Sequence, residues 1–171
     1  IYCNPASTSY AITLKKNIIT GNSKKIDGIR ADSGKLILSS NTISSCSRAI
    51  ILSSKVKGTV YPNTFKKNTY NNVKVNSSYV NTLTVKSLSG KSKSAKTATL
   101  NWKKLSSASG YVVYRSASKN GSYTKISTIK KNKTITYKDS KLKRKSTYYY
   151  KIVPYTTIGK TTVYGLDSKI V

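Results

Sequence analysis

Side chains able to catalyse acid–base reactions are scarce in this sequence. The 171 residues include four aspartates and no glutamate or histidine, so neither a Ser-His-Asp triad nor a histidine-based metal site can be assembled. Carboxylate catalysis would have to come from Asp27, Asp32, Asp139 and Asp167. We therefore assign no catalytic residue, no metal site and no cofactor.

Asp27 and Asp32 are the two aspartates that lie close together in the sequence, on either side of Arg30. Glycoside hydrolysis needs two carboxylates across a bound sugar, and calcium takes more oxygen ligands than two side chains supply. We interpret both aspartates as turn residues that bond to their own backbone.

Cations dominate the chain, since 32 Lys and Arg residues give a formal net charge of +28. The densest stretch supplies the candidate polyanion-binding residues, which are Lys130, Lys131, Lys133, Lys138, Lys141, Lys143, Arg144 and Lys145. Two interpretations stay open. The charge binds an anionic polymer such as teichoic acid, an acidic glycan or nucleic acid, or it is a solvated surface that keeps the protein soluble.

The proportion of lysine to arginine indicates which class of anionic partner the chain binds. Arginine stands only at positions 30, 48, 115 and 144, and the other cations are lysines. Lysine acts as a point charge, whereas arginine forks onto phosphates and base edges. The composition favours salt-sensitive attraction to an anionic polysaccharide, teichoic acid or glycan surface, and it disfavours sequence-specific reading of nucleic acid.

The elements that would position these residues are predicted to be strands. The chain has 14 Tyr and many Ile, Val and Thr residues, all typical of strands. No apolar run reaches the roughly 18 residues of a transmembrane helix. Cys3 and Cys46 form no disulfide framework or metal pattern, so we expect both to be small buried side chains. The predicted fold class is all-β.

An internal repeat organises the N-terminal part. Three segments align without gaps: ITLKKNIITGN (residues 12–22), LILSSNTISSC (36–46) and GTVYPNTFKKN (58–68). Alternating apolar residues predict short half-buried strands, and the matched Asn17, Asn41 and Asn63 predict left-handed turns with stacked side chains. The aligned columns predict the buried stacks Ile12/Leu36, Leu14/Leu38/Val60 and Ile19/Ile43/Phe65.

These Asn-x-(Ile/Phe) blocks, with the starts at Gly28 and Ala49, resemble the right-handed parallel β-helix repeats of polysaccharide lyases such as pectate lyases. The resemblance implies the last coils of a β-helix over residues 1–78. Since Ile1 starts partway through a coil, we expect a longer protein whose catalytic site, if it has one, belongs to upstream coils.

Longer alternating strands follow, and Asn120-Gly121 between two of them predicts a hairpin. Trp102 in the second strand, and Leu142 six residues before Tyr148 in the spacing of a tyrosine corner, make this part similar to a bacterial fibronectin type III domain. The resemblance covers residues 79–171 and implies a β-sandwich that serves as a spacer or binding module.

We predict a non-catalytic C-terminal region of a secreted or cell-surface protein, which attaches to anionic or carbohydrate polymers. The alternative is an accessory region of a β-helix polysaccharide lyase or glycoside hydrolase with its active site upstream. Tyr149, Tyr155 and Tyr164 either stack on sugars or pack on their own sheet.

Overall fold

Strands make up all the regular structure in the described part of the chain. The computed structural model describes residues 1–3, 11–22, 25–80 and 82–171, and every regular element in these ranges is a β-strand, which confirms the all-β prediction. Two compact units are present: unit 1 comprises Ile1–Thr82 and Thr156–Tyr164, and unit 2 comprises Leu83–Tyr155 and Gly165–Val171. Within the described ranges, no helix suited to crossing a membrane is found.

Unit 1 consists mainly of short strands that repeat along the chain: β1 (Tyr2–Cys3), β2 (Ala11–Lys15), β3 (Ile18–Thr20), β4 (Ile29–Ala31), β5 (Lys35–Ser39), β6 (Thr42–Ser44), β7 (Arg48–Leu52), β8 (Lys57–Val60), β9 (Thr64–Lys66), β10 (Tyr70–Val75) and β11 (Ser78–Val80). They pair in parallel in the orders β1-β4-β7-β10, β2-β5-β8 and β3-β6-β9, and β11 joins β10 antiparallel. Each ladder therefore gains one strand per sequence repeat.

The register confirms the predicted apolar columns, because it pairs Ile12 with Leu36, Leu14 with Leu38 and Val60, and Ile19 with Ile43 and Phe65. In the middle repeat, Leu36, Leu38 and Ile43 are at most 2% exposed. Leu38 lies between Leu14 and Val60, and Ile43 lies between Ile19 and Phe65, so equal columns in the sequence form one continuous core.

The matched asparagines form a ladder. The backbone and side-chain N–H groups of Asn17 both donate to Oδ1 of Asn41 at 3.0 Å, and those of Asn41 donate to Oδ1 of Asn63 at 2.9 Å. The prediction of left-handed asparagines was wrong, since the positive φ falls on the preceding Lys16 (58°) and Ser40 (55°). In these two repeats the chain turns one residue earlier, and the amides of Asn17 and Asn41 each donate to the asparagine of the next repeat.

The rest of unit 1 comes from a distant segment. Strand β17 (Tyr149–Ile158) ends in it, and β18 (Thr161–Tyr164) pairs in parallel with β8. The buried Thr161 hydroxyl donates to the Val56 carbonyl at 3.0 Å. The sequence alone assigns this hairpin to the second domain, residues 79–171, because alternation along a strand does not reveal a partner strand so far away in the chain.

Unit 2 contains β12 (Ser89–Ser94), β13 (Thr97–Asn101), β14 (Gly110–Ser116), β15 (Thr124–Ile129), β16 (Thr136–Asp139) and the first part of β17. Antiparallel pairing gives one group in the order β12-β13-β16 and another in the order β15-β14-β17. Both contribute to one core, in which the Trp102 ring meets the edge of Tyr111 at 5.4 Å between centroids.

Candidate polyanion-binding site

The eight predicted polyanion-binding residues lie on three consecutive pieces of unit 2. Lys130, Lys131 and Lys133 belong to the loop before β16, Lys138 lies on β16, and the other four belong to the loop between β16 and β17. All eight side chains are exposed. The structure thus leaves each cation open to a partner in solvent.

Strand β16 sets the spacing of these cations. It is the last strand of its three-stranded group, and its Tyr137 packs against the core while the alternate residue Lys138 is exposed. Four residues at roughly 3.4 Å each separate the two loops by about 14 Å. The eight cations therefore lie on an edge strand and on the loops at its two ends, and we call this set the cationic strip.

An ion pair with a buried carboxylate holds the base of the second loop. Asp139 is 3% exposed, and its Oδ2 accepts from Arg115 Nη1 at 2.9 Å and from the Tyr150 hydroxyl at 3.1 Å. Its Oδ1 accepts from the backbone N–H of Lys141 at 3.0 Å, and Arg115 also donates to the Lys141 carbonyl at 3.2 Å. The loop is therefore fixed where it leaves β16.

The middle of the same loop is held by Tyr148. Its hydroxyl accepts from the backbone N–H of Lys143 at 3.2 Å, which is the upstream backbone bond of a tyrosine corner. The Arg115 guanidinium lies over the Tyr148 ring at 5.0 Å from its centroid. One arginine thus connects the buried carboxylate to the tyrosine that shapes the cationic loop.

The few acids of unit 2 do not neutralise the strip. Asp139 pairs with Arg115, and Asp167 pairs with Lys151 at 2.7 Å. In the described parts of the chain, none of the eight strip cations takes part in a salt bridge. Burial, and then the charge of Asp139, raises the pKa of Tyr150 and of Tyr137, so both phenols stay neutral well above pH 7.

Comparison with known proteins gave matches among solved structures, whereas no family model and no curated protein matched. An Fn3-like protein from Clostridium thermocellum is 31% identical, with a TM-score of 0.43, and the match covers 50% of this chain and 84% of that one. The sixth fibronectin type III domain of human fibronectin type III domain containing protein 3 is 20% identical (TM-score 0.44), over 54% and 83% of the two chains. The FN1-FN3 domains of chicken CNTN1 are 18% identical (TM-score 0.45), over 53% and 31%.

Unit 2 is a fibronectin type III-like (FN3-like) domain. The tyrosine corner, the buried Trp102 and the two antiparallel groups around one core agree with this family. The fibronectin type III part of the sequence prediction is therefore supported.

A recess of about 190 Å³ opens in the FN3-like unit beneath β12. It exists because Gly90 and Ser92, opposite the buried Leu100 and Ala98, put no large side chain on the core side of that strand. This recess was not predicted from the sequence, although the run of small and charged residues along β12 is a signal for it.

The three tyrosines considered for sugar stacking are half-buried. Tyr164 stacks on Tyr61, with centroids 5.0 Å apart and rings 7° from parallel, and the Tyr155 hydroxyl donates to the Ile129 carbonyl at 3.4 Å. Tyr149 pairs with Ser116 across β14 and β17. Packing within the protein accounts for the positions of Tyr155 and Tyr164.

The two aspartates of unit 1 lie on either side of strand β4. Asp32 accepts from the Tyr2 hydroxyl at 2.8 Å and pairs with Arg30 at 3.5 Å, while Asp27 lies beside an open recess at Gly28. No cluster of three or more His, Cys, Asp or Glu suited to a metal occurs in the described ranges. Cys3 and Cys46 are buried as predicted, and burial raises the pKa of the Cys3 thiol.

The structural centre of the candidate site, the pair Arg115 and Asp139, was not singled out from the sequence. The sequence does contain a signal for this pair. Side chains alternate between the two faces of β16, which places Asp139 on the buried face, and a buried aspartate needs a cationic partner. Which of the 32 cations supplies that partner depends on how the two strand groups of unit 2 pack on each other.

Proposed function

We propose that the chain is a non-catalytic attachment region of a secreted or cell-surface protein, in which its FN3-like unit binds anionic polysaccharide, teichoic acid or a similar glycan surface. Unit 1 supplies the last coils of a right-handed parallel β-helix and acts as the support. Three parallel ladders that gain one strand per 22–24-residue repeat, as in Leu14, Leu38 and Val60, support the β-helix assignment.

One observation carries the binding proposal. Eight cations are exposed along one edge of the FN3-like unit, while the nearest carboxylate in the sequence, Asp139, is buried and paired with Arg115. Cations that only keep a protein soluble do not need a loop backbone held in one conformation. Here the buried carboxylate of Asp139 and a tyrosine corner hold the backbone of the loop that carries half of them.

The chemistry of the strip favours attraction to a polymer over recognition of one small ligand. Seven of the eight cations are lysines, and each adds a point charge without fixed geometry. Affinity should therefore rise with the number of anionic groups on the ligand and fall steeply with salt.

The test measures binding of the full chain to polygalacturonate at several salt concentrations. The strip variant carries Lys130→Ser, Lys131→Ser, Lys138→Ser and Lys143→Ser. The control removes the same charge from exposed positions of unit 1, with Lys15→Ser, Lys35→Ser, Lys57→Ser and Lys66→Ser. By analogy with polyphosphate backbones, each contacting lysine that is lost should lower the slope of log K against log salt by roughly one.

We expect the strip variant to bind at least tenfold more weakly than the control at low salt. Equal losses in the two variants would show that diffuse charge, and not the strip, drives binding. Absence of binding by the unchanged protein at low salt would overturn the proposal as a whole.

A further inference from the structure

The outward face of the three strands β12, β13 and β16 assembles polar side chains from distant parts of the sequence. Lys91 pairs with Thr99, and Thr99 pairs with Lys138, so these three residues form one row across the sheet. The row is outward because the alternate residues of β13, Ala98 and Leu100, are buried in the core.

A second row lies beside the first. Ser89, Asn101 and Thr136 pair in the same way across the three strands, and all three are exposed. Neighbouring strands are about 4.8 Å apart, and side chains two residues along a strand are about 7 Å apart. The Lys91 and Lys138 backbones are thus roughly 10 Å apart, with hydroxyl and amide groups between and beside them.

No carboxylate of this sheet competes for the two lysines. The acid next to Lys138, Asp139, points to the core and bonds Arg115 and Tyr150. Lys91 and Lys138 are separated by about one Debye length at physiological salt, so a bound anion between them would be attracted by both charges.

We infer that this face binds a linear anionic polysaccharide laid across the three strands, with Lys91 and Lys138 contacting its anionic groups and Thr99 and Asn101 contacting its hydroxyl groups. The inference rests on the proposed function and names the face and the ligand class. It adds Lys91, which lies far in sequence from the cationic strip.

The side chains between the lysines select this class of polymer. Hydroxyl and carboxamide groups both donate and accept hydrogen bonds, so they match sugar hydroxyls, whereas polyphosphate offers acceptors alone. Binding of single-stranded nucleic acid relies on aromatic platforms, and the two rows consist of Ser, Thr, Asn and Lys. A glycan that alternates anionic and hydroxyl groups fits both rows.

The experiment compares polygalacturonate and polyphosphate as ligands of the full chain. The variants are Lys91→Ser, Lys138→Ser, their double substitution, and Thr99→Val, with Lys125→Ser as the matched control. Lys125 is an exposed lysine of β15, in the other antiparallel group. Circular dichroism and Trp102 fluorescence confirm that each variant is folded.

We expect Lys91→Ser and Lys138→Ser each to weaken polygalacturonate binding by roughly threefold more than Lys125→Ser does. We expect Thr99→Val to weaken polygalacturonate binding by roughly fivefold and to leave polyphosphate binding unchanged.

Two results would overturn the inference while leaving the proposed function in place. One is that Lys91→Ser behaves as Lys125→Ser does, although the strip variant still loses affinity. The other is that Thr99→Val changes both ligands equally or neither, which would exclude recognition through hydroxyl groups. If the unchanged protein binds no polygalacturonate at low salt, the proposed function fails and the inference fails with it.

Discussion

Asn41 and Asn63 are joined by two hydrogen bonds to a single oxygen, since the backbone and side-chain N–H groups of Asn41 both donate to Asn63 Oδ1 at 2.9 Å. The same Asn41 amide donates to the Leu14 carbonyl at 2.9 Å, and the side chain is fully buried. One residue therefore connects three successive repeats of unit 1.

Replacing the central asparagine of this ladder should be costly. We expect Asn41→Ala to lower the free energy of unfolding by about 3 kcal/mol, because it leaves buried partners unsatisfied. Asn17→Ala, at a less buried rung, should cost about 1 kcal/mol. Urea unfolding followed by circular dichroism measures both values. Equal losses of stability in the two variants would show that burial does not set the contribution of each asparagine.

The ion pair between Arg115 and Asp139 gives a second prediction. Arg115→Met leaves a buried carboxylate without its cation and should lower the free energy of unfolding by about 3–5 kcal/mol. The control is Lys151→Met, whose partner Asp167 is 54% exposed, and it should cost at most about 1 kcal/mol. The chain has one tryptophan, so Trp102 fluorescence in urea reports on the FN3-like unit.

Alkaline pH should destabilise the FN3-like unit through Tyr150. Burial raises the pKa of this phenol in the folded protein, whereas in the unfolded chain it ionises near pH 10. The unfolded state then loses its proton first, so this contribution to stability is complete below pH 10 and decreases as the pH rises further. Tyr150→Phe removes the group. We expect the variant to lose less stability than the unchanged protein between pH 9 and pH 11.5, measured by urea unfolding. If the free energy of unfolding fell equally with pH in both proteins, Tyr150 would not be the group that causes the loss.

The close approach of Gly58 and Thr161 predicts a coupled pair within unit 1. A Cβ at Gly58 would lie 3.0 Å from Thr161 Cγ2 and 3.1 Å from its Oγ1. Gly58→Ala should therefore cost about 1–3 kcal/mol through overpacking. Thr161→Ala in the same chain should recover part of that loss, because it removes both γ atoms. Thr162→Ala, on the opposite face of β18, should recover nothing in the same double-mutant cycle.

The left-handed corner at Lys67 predicts a stabilising substitution. Its φ is 53°, a conformation that glycine adopts without steric cost. Lys67→Gly should raise the free energy of unfolding by about 0.5 kcal/mol, the balance between strain relieved and chain entropy lost. Lys66→Gly removes the same charge from strand β9 and should cost about 1 kcal/mol. Thermal or urea unfolding should therefore show that Lys67→Gly raises the free energy of unfolding and that Lys66→Gly lowers it.

Much of unit 1 followed from the sequence because its contacts repeat at a fixed spacing. When Leu14, Leu38 and Val60 occupy matching positions, stacking the repeats in register buries all of them at once. The asparagine ladder follows from the same alignment. The left-handed residues did not, since a turn is set by the backbone path and Lys16 or Ser40 carries no distinctive side-chain signal.

The FN3-like unit was predictable where its signals are local. The alternation of apolar and polar residues predicted the strands. The spacing of Leu142 and Tyr148 predicted the tyrosine corner, in which the Lys143 N–H donates to the Tyr148 hydroxyl. The sequence also determined the chain's cationic character and its lack of histidine and glutamate.

Tertiary structure alone decided which residues meet across the chain. It brought Arg115 to Asp139, Thr161 to Val56, and Lys91 into one row with Lys138. The Arg115–Asp139 pair depends on how the two strand groups of unit 2 pack on each other, and the other two contacts depend on pairing between strands distant in the sequence. A strand's own alternation shows which face a side chain takes but not which strand lies beside or opposite it. The amino-acid composition therefore determines the net charge of the protein, whereas the fold determines where the charged side chains lie.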